Sequence, residues 1–534
     1  MKNFLALTAI VLASTIGFSQ PASRAMTKLG QFTYLQNIND VWGYESQNRE
    51  YALVGVEDGL SIVEVTNPQN LVEKLFVPGA NSTWRDMKTY QNYAYTVHDR
   101  FSGTSDGILV VDMSTLDNTF PTFWNRIPTI PYQGNSLIYQ RAHNLYIDEN
   151  GFLYLFGTNI GQGGALIFDL KPDPTDPTFV GIFDQYYLHD GVVRGDTLWG
   201  AAVTQGFFSA VSVLSKTSPA ELGRQSTPNG VSHNVWFSDD NQRVFTTDET
   251  RAAFVAEYDV SDLNNITELD RIRTSLSTNV VPHNAHFYNN FLVNSYYTSG
   301  VQIVDVSVPG IMVETAYYDT SPSSGDGFTG AWGAYPYLPS GKILVSDREQ
   351  GLFVLSSTYP RATYLVATVV NAQNSTALIN ANVQVLNGSI NANTSIFGTV
   401  REGQAQAGNF NVVVSKAGFV TDTFPIILSP SQVSTYQFPL QPVGIGLTEN
   451  SAEIKGDVYP NPSNSGNFIL TLPQTVTGWY NYELITATGA ILKQGEIENT
   501  GEDHYLEWAL TPGYYFFTLI SNKGLRQNIP LVVQ

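Results

Sequence analysis

The feature that most constrains this chain is a short string that recurs seven times in its first 360 residues. An alternating apolar strand ends in an acid and a turn at Leu60 to Glu64, Ile108 to Asp112, Ala165 to Asp169, Val255 to Asp259 and Val301 to Asp305. The same strand recurs without the acid at Ser209 to Ser212 and Leu352 to Leu355. The copies lie about 43 to 57 residues apart, a period expected of repeat architectures whose unit is a four-stranded sheet. A second strand precedes each copy, at Tyr51, Tyr93, Phe152, Thr197, Arg243, Phe291 and Lys342, and a shorter one comes before that. A fourth, less regular strand follows, as at Val72 to Val77, Phe179 to Phe183, Glu268 to Ile272 and Met312 to Tyr317. The last unit lacks one, because Leu352 to Ser356 runs straight into Tyr359-Pro360, while Leu29 to Leu35 is a strand without a unit. Pairing these two closes a ring and removes the edges an open sheet would expose. The expectation is an all-β chain in which residues 20–359 form a seven-bladed β-propeller, followed by two small β-sandwich domains.

The short first strand of each unit carries a polar pair: Asn39-Asp40, Arg85-Asp86, His143-Asn144, His189-Asp190, His233-Asn234 and His283-Asn284, with Thr329-Gly330 departing in the seventh. Equivalent blade positions point to equivalent places about the axis. Asp40, Arg85, Asp86, His143, Asn144, His189, Asp190, His233, Asn234, His283 and Asn284 are therefore expected to form a ring at one mouth of a central channel. In a chain without cysteine, His, Asp and Asn are the side chains that could hold a ligand or an ion. The same residues also read as wet channel walls that satisfy one another. The width of a sevenfold ring counts against one ion touching many histidines at about 2.1 Å. No catalytic residue is assigned and no cofactor is called for; whether the ring takes a metal is open. The acids Glu64, Asp112, Asp169, Asp259 and Asp305 read as turn acids accepting backbone N–H groups. Trp42, Trp84, Trp236 and Trp332, beside the pairs, read as packing between blades rather than as sugar platforms. The chain has no nucleophile elbow, HExxH or EF-hand spacing, and Gly161 to Gly164 lacks the Lys and helix of a phosphate loop.

Charge and composition narrow the partners. The 534 residues carry 47 acidic against 27 basic side chains, a formal charge of −20, and no basic stripe stands out, so a nucleic-acid partner is not expected. The absence of Cys excludes disulfides, thiol nucleophiles and iron–sulfur clusters. At the start, Lys2 precedes an apolar run from Phe4 to Phe18 and then Ser19-Gln20, the layout of a secretory leader, and residues 1–19 are read as a signal peptide. No later stretch has the roughly 18–20 consecutive apolar residues of a membrane helix. An exported protein follows.

Longer strings carry resemblances. SIVEVTNP, ILVVDMS and VQIVDVSVP resemble the LVIVD repeat, and with ALVGVEDGLSIVEV, AHNLYID and GAWGAYPYLPSGKILVSDREQGLFVL the first 360 residues look like the choice-of-anchor B family of exported bacterial proteins. That resemblance implies a surface or secreted propeller with a variable C-terminal anchor and implies no known reaction. Residues 361–442 alternate at period 2, as at Tyr364 to Val370, Ala381 to Leu386 and Phe410 to Val414, which reads as a β-sandwich. Their order is similar to the carboxypeptidase-regulatory-like domain, which implies a transthyretin-type spacer. A linker at 443–456 leads to residues 457–534, where Tyr459-Pro460-Asn461-Pro462 opens a domain and Gly513 opens the strand GYYFFTL. These resemble the C-terminal sorting domain of the type IX secretion system of Bacteroidota; the ending, Gln527 to Gln534, departs from the usual basic residue and apolar run. The resemblance implies the secretion machinery and a sortase-like protease as partners, surface lipopolysaccharide as an anchor, and delivery to the outer-membrane surface or the medium. The expected function is a binding module for a glycan, peptide or protein; the alternatives are a hydrolase acting at the His/Asp/Asn ring and a non-binding surface scaffold.

Overall fold

The computed structural model describes residues 22–100, 106–443, 454–473, 478–522 and 525–534. The leader at 1–19 and most of the linker at 443–456 lie outside them. The chain divides into two compact units, Met1–Pro442 and Val443–Gln534.

Seven antiparallel sheets follow one another among the described residues of the first unit, spanning 38–78, 87–126, 144–183, 190–226, 232–272, 285–318 and 331–357. In each, consecutive strands are neighbours, as in Ile38–Ser46, Arg49–Val56, Gly59–Glu64 and Val72–Pro78. The middle strands are buried on both faces, which is why they read as near-continuous apolar runs: Ala165 to Phe168 are all buried. The fourth strand Ala220–Ser226 alternates between exposed and half-buried residues, because one face is left to solvent. Tight hairpins join strands where two successive residues take positive φ, at Gln47-Asn48 (52° and 60°) and Asn289-Asn290 (51° and 60°), the backbone twist that suits a two-residue turn.

The first strand of each sheet packs against the next sheet, and the seventh returns to the first. Apolar clusters fill the spaces between them, one built on Trp199, Phe208, Phe245 and Phe287 and another on Ile38, Val54, Leu344 and Val354. The seventh sheet takes its outer strand from the other end of the chain: Met26–Phe32 pairs with Gly351–Ser357, with Phe32 opposite Leu352 and a register shift between Lys28 and Gly30. Two features were not foreseen. Ser23–Arg24 adds a fifth strand to the sixth sheet, opposite Tyr318 and Tyr317, and the hairpin Thr129–Tyr132 with Asn135–Ile138 stands between the second and third sheets.

Still within the first unit, residues 363–440 form a three-stranded and a four-stranded sheet over a shared core of Leu365, Val383, Val412, Ile426 and Phe438. This part is latched to the sixth sheet. Asp305 accepts from the Ala362 N–H (2.9 Å) and from Arg361 (3.2 Å), Tyr364 bonds Ser307 (3.0 Å), and Ile311, Val313, Ala362 and Tyr364 form a small apolar seam.

The second unit has a three-stranded and a four-stranded sheet about Phe468, Leu484, Trp508 and Phe517. Its opening residues are tied to its last strand, where Asn461 Oδ1 accepts from the Val532 N–H (2.9 Å) and its Nδ2 donates to the Pro530 carbonyl (2.5 Å), and to the turn before His504–Glu507, where the Tyr459 hydroxyl donates to Asp503 (2.9 Å). Pro460 and Pro462 lie in this connection, and Gly513 begins the strand Gly513–Ser521, opposite Val533.

Candidate functional site

All eleven ring residues named from sequence line two small cavities that share Asp40, Asp86, Asn144 and Asn284. The upper one adds Arg85, His143, His189, His233 and His283, flanked by Trp84 and Trp332. The lower one adds Asp190 and Asn234, and below them Lys88, Tyr146, Trp236 and His286. Their volumes are about 20 and 10 Å³, the scale of a water molecule or a single ion and far short of a sugar ring.

The four upper histidines form an arc. Ring centroids are 4.0 Å apart for His143 and His189, 4.2 Å for His189 and His233, and 4.3 Å for His233 and His283; Trp332 continues it at 4.6 Å. Each imidazole is held by the neighbouring sheet: His189 Nδ1 meets the His233 carbonyl at 3.2 Å, His233 Nδ1 the His283 carbonyl at 3.1 Å, and His283 Nδ1 the Trp332 carbonyl at 2.6 Å. A carbonyl only accepts, so Nδ1 carries the hydrogen in all three and Nε2 is left with its lone pair. His143 starts the arc differently, with Nδ1 2.9 Å from Asp99 Oδ2. Burial pushes the Asp99 carboxyl up, but hydrogen bonds from His143 and Arg141 outweigh it and hold the group below its usual range. Gly157 (φ +63°) packs behind His143, where a Cβ would come within 2.6 Å of the histidine's own Cβ.

Burial favours the neutral form of His189, His233 and His283. His189 and His283 are driven well below the ordinary imidazole value by desolvation and then by neighbouring histidines. His233 is lowered by desolvation, against the pull of Glu249. In the lower layer the same cause acts on acids: desolvation raises Asp190 to about 7, and desolvation with the adjacent Asp86 charge raises Asp40 well above the carboxylate range. Asn234 donates to Asp190 Oδ2 (2.7 Å), and Lys88 donates to Asp86 (2.8 Å). Burial works against the Lys88 charge, but Asp86 and Asp40 hold its pKa above the usual value. Asp40 Oδ1 and Asn284 Oδ1 have no partner among the described residues.

The structure shifts two sequence readings. The seventh pair is Trp332-Gly333, three residues beyond Thr329-Gly330: the Trp332 carbonyl takes the acceptor place that His283 and His233 take in their sheets. The register agrees, since a one-residue bulge falls between Ser232 and Asn234 and again between Ala331 and Gly333. Nor do the tryptophans lie only between sheets. Trp84, 36% exposed, and Trp332 flank the arc, while Trp236 stacks on Tyr337 (6.3 Å) and meets His286 edge-on (4.5 Å) under the lower cavity. Trp42 joins that floor, 6.1 Å from His286, with Lys88 Nζ 4.3 Å from its ring.

Four of the five strand-end acids accept the N–H two residues on, at 2.9–3.0 Å: Asp112, Asp169, Asp259 and Asp305. Glu64 instead faces Arg49 and Lys74. Glu249, Asp99, Lys88 and His286 are site residues that sequence reasoning missed. Lys88 and His286 carried a shared signal, each standing two places past a polar pair, Arg85-Asp86 and His283-Asn284.

No protein-family model matches the chain, and no curated protein matches it. Among solved structures, that of U3-55K matches at 8% identity, covering 63% of this chain and 99% of that one, with a TM-score of 0.41. No helix among the described residues is long and apolar enough to cross a membrane.

Proposed function

We propose that this chain is an exported binding protein of the choice-of-anchor B type, displayed on the outer-membrane surface or released after type IX secretion. In this reading the seven sheets are the blades of one propeller, residues 361–442 are a spacer sandwich, and residues 457–534 are the sorting domain read by the secretion machinery. The mouth ringed by the histidine arc is the end at which a ligand is recognised. The carrying observation is convergence: residues from equivalent places in six successive sheets meet around one narrow polar opening. A ring built only as wet wall would not leave the Nε2 atoms of three consecutive imidazoles unused by the hydrogen bonds that orient them.

Two measurements test this. Trp84 and Trp332 border the opening, so tryptophan emission of the full chain, titrated with cations, soluble glycans and peptides, should respond to a ligand; silence throughout, with no thermal shift, favours a scaffold. Deleting residues 457–534 should hold the protein in the periplasm, and normal surface delivery of the truncated chain would refute the sorting role.

A further inference from the structure

Three groups at the mouth face one another without a hydrogen bond among them. His233 sits on the bulge between Ser232 and Asn234. His283 precedes the strand Ala285–Tyr288, its N–H bonded to the Ser295 carbonyl (2.9 Å). Glu249 follows the strand Arg243–Asp248, its N–H bonded to the Val231 carbonyl (3.1 Å). Glu249 Oε2 lies 3.6 Å from His233 Nε2, and Oε1 lies 3.8 Å from His283 Nε2. Neither separation is a hydrogen bond. Both Nδ1 hydrogens are already given to carbonyls, so two imidazole lone pairs and a carboxylate converge, and their mutual repulsion calls for a cation among them.

We propose that His233 Nε2, His283 Nε2 and Glu249 chelate one divalent first-row transition-metal ion, zinc by preference, at this mouth. The proposal rests on reading the mouth as the binding end and names its occupant. The ligand atoms of the three residues all lie within 4.8 Å of one another; bonds of about 2.0–2.1 Å in tetrahedral geometry need separations of about 3.3 Å, a modest contraction. Two imidazoles and one carboxylate suit zinc and its neighbours better than calcium or magnesium, which prefer all-oxygen sets. The outer partners are those of a metal-binding histidine: a carbonyl on each Nδ1 and, on the carboxylate, the Tyr297 hydroxyl at 2.5 Å. His233 and His283 are 4% and 2% exposed, so both side chains are held in place by the surrounding sheets. Three protein ligands leave a fourth position, and a cavity of about 20 Å³ gives it room for one water or one donor atom of a bound partner. The ring width that argued against a single ion for all the histidines does not apply, because only two adjacent members of the arc are used.

The test uses the full chain without an affinity tag, stripped with chelator and titrated with Zn²⁺ alone. One equivalent should bind and raise the thermal midpoint. Glu249→Gln, which keeps an acceptor for Tyr297, should abolish stoichiometric binding; Tyr297→Phe should weaken it by about 10- to 100-fold; His504→Gln, in the other unit, should leave it intact. Stoichiometric uptake that persists in Glu249→Gln overturns the proposal. If that variant does not fold, Co²⁺ bound to the wild-type chain decides: a four-coordinate absorption spectrum supports the site, and a six-coordinate, all-oxygen one overturns it. If Zn²⁺ does not bind while tryptophan emission still answers to a glycan or peptide, the metal inference falls and the binding reading stands. If neither responds, both fall.

Discussion

His286 shows how much of the pH response of this fold rests on single buried side chains. It lies beneath the lower cavity among Trp42, Trp236 and Tyr337, facing Lys88 there together with Asp40, Asp86 and Asp190. Desolvation and then the Lys88 charge lower its pKa to about 3. The unfolded chain takes up this proton near pH 6.5 while the folded chain refuses it, so the stability His286 contributes is whole above about pH 6.5 and drains away as the pH falls toward 3. Asp190, raised to about 7 by burial, works in the opposite sense: its folded form holds a proton that the unfolded form has released, so it favours folding as the pH drops below 7. Comparing His286→Gln with the wild type cancels the Asp190 term. The expected result is that the unfolding free energy of the wild type minus that of the variant falls as the pH drops from about 6.5 to 4, read from urea melts; a difference that does not change with pH would count against the assignment.

At the scale of elements, the closing strand is the part with the least freedom. Gly30 lies at its register shift, and a Cβ there would come within 1.8 Å of the Pro68 carbonyl oxygen in the turn after the first sheet's third strand. The oxygen belongs to backbone and backbone geometry fixes the Cβ, so neither can rotate away. Gly30→Ala should cost about 1–3 kcal/mol, the usual range for overpacking, seen as a lower midpoint in thermal unfolding of the first unit. The strand modules, the closing pair and the turn acids were legible in the sequence because each is written locally, as period-2 alternation or as an acid two residues before the N–H it accepts. Six polar pairs were legible by repetition. The seventh was not: a bulge moves it from Thr329-Gly330 to Trp332-Gly333, and neither residue resembles the histidine or amide it replaces. Glu249 left no trace in the repeat, since its equivalent in the seventh sheet, two residues past Ser346-Asp347's start, is Arg348; its nearness to His233 and His283 exists only once the sheets are side by side. Trp42, Trp236 and His286 each stand two places past a polar pair, so most of the floor repeats along the chain, and only Tyr337 joins it without such a mark.

Across the whole first unit, the contact between residues 22–359 and 361–442 turns on one fully buried carboxylate. Asp305 serves at once as the turn acid of its own strand, through the Ser307 N–H, and as acceptor for Ala362 and Arg361. Removing it leaves a buried N–H without its acceptor, while Arg361, partly exposed, can turn to water. Asp305→Ala should therefore cost about 2–3 kcal/mol, the scale of lost charged hydrogen bonds, and should split a shared calorimetric transition into two as 361–442 melts independently; a single transition at the wild-type midpoint would show that the apolar seam of Ile311, Val313, Ala362 and Tyr364 suffices. The pairing of Phe32 with Leu352 has a reach in time as well as space. The strand Met26–Phe32, made near the start, must wait unmatched for more than 300 residues before its mate emerges, so no shorter product can mimic the finished ring. A chain cut off by premature termination is left with a raw sheet border, and surveillance proteases would meet that border before any ligand could.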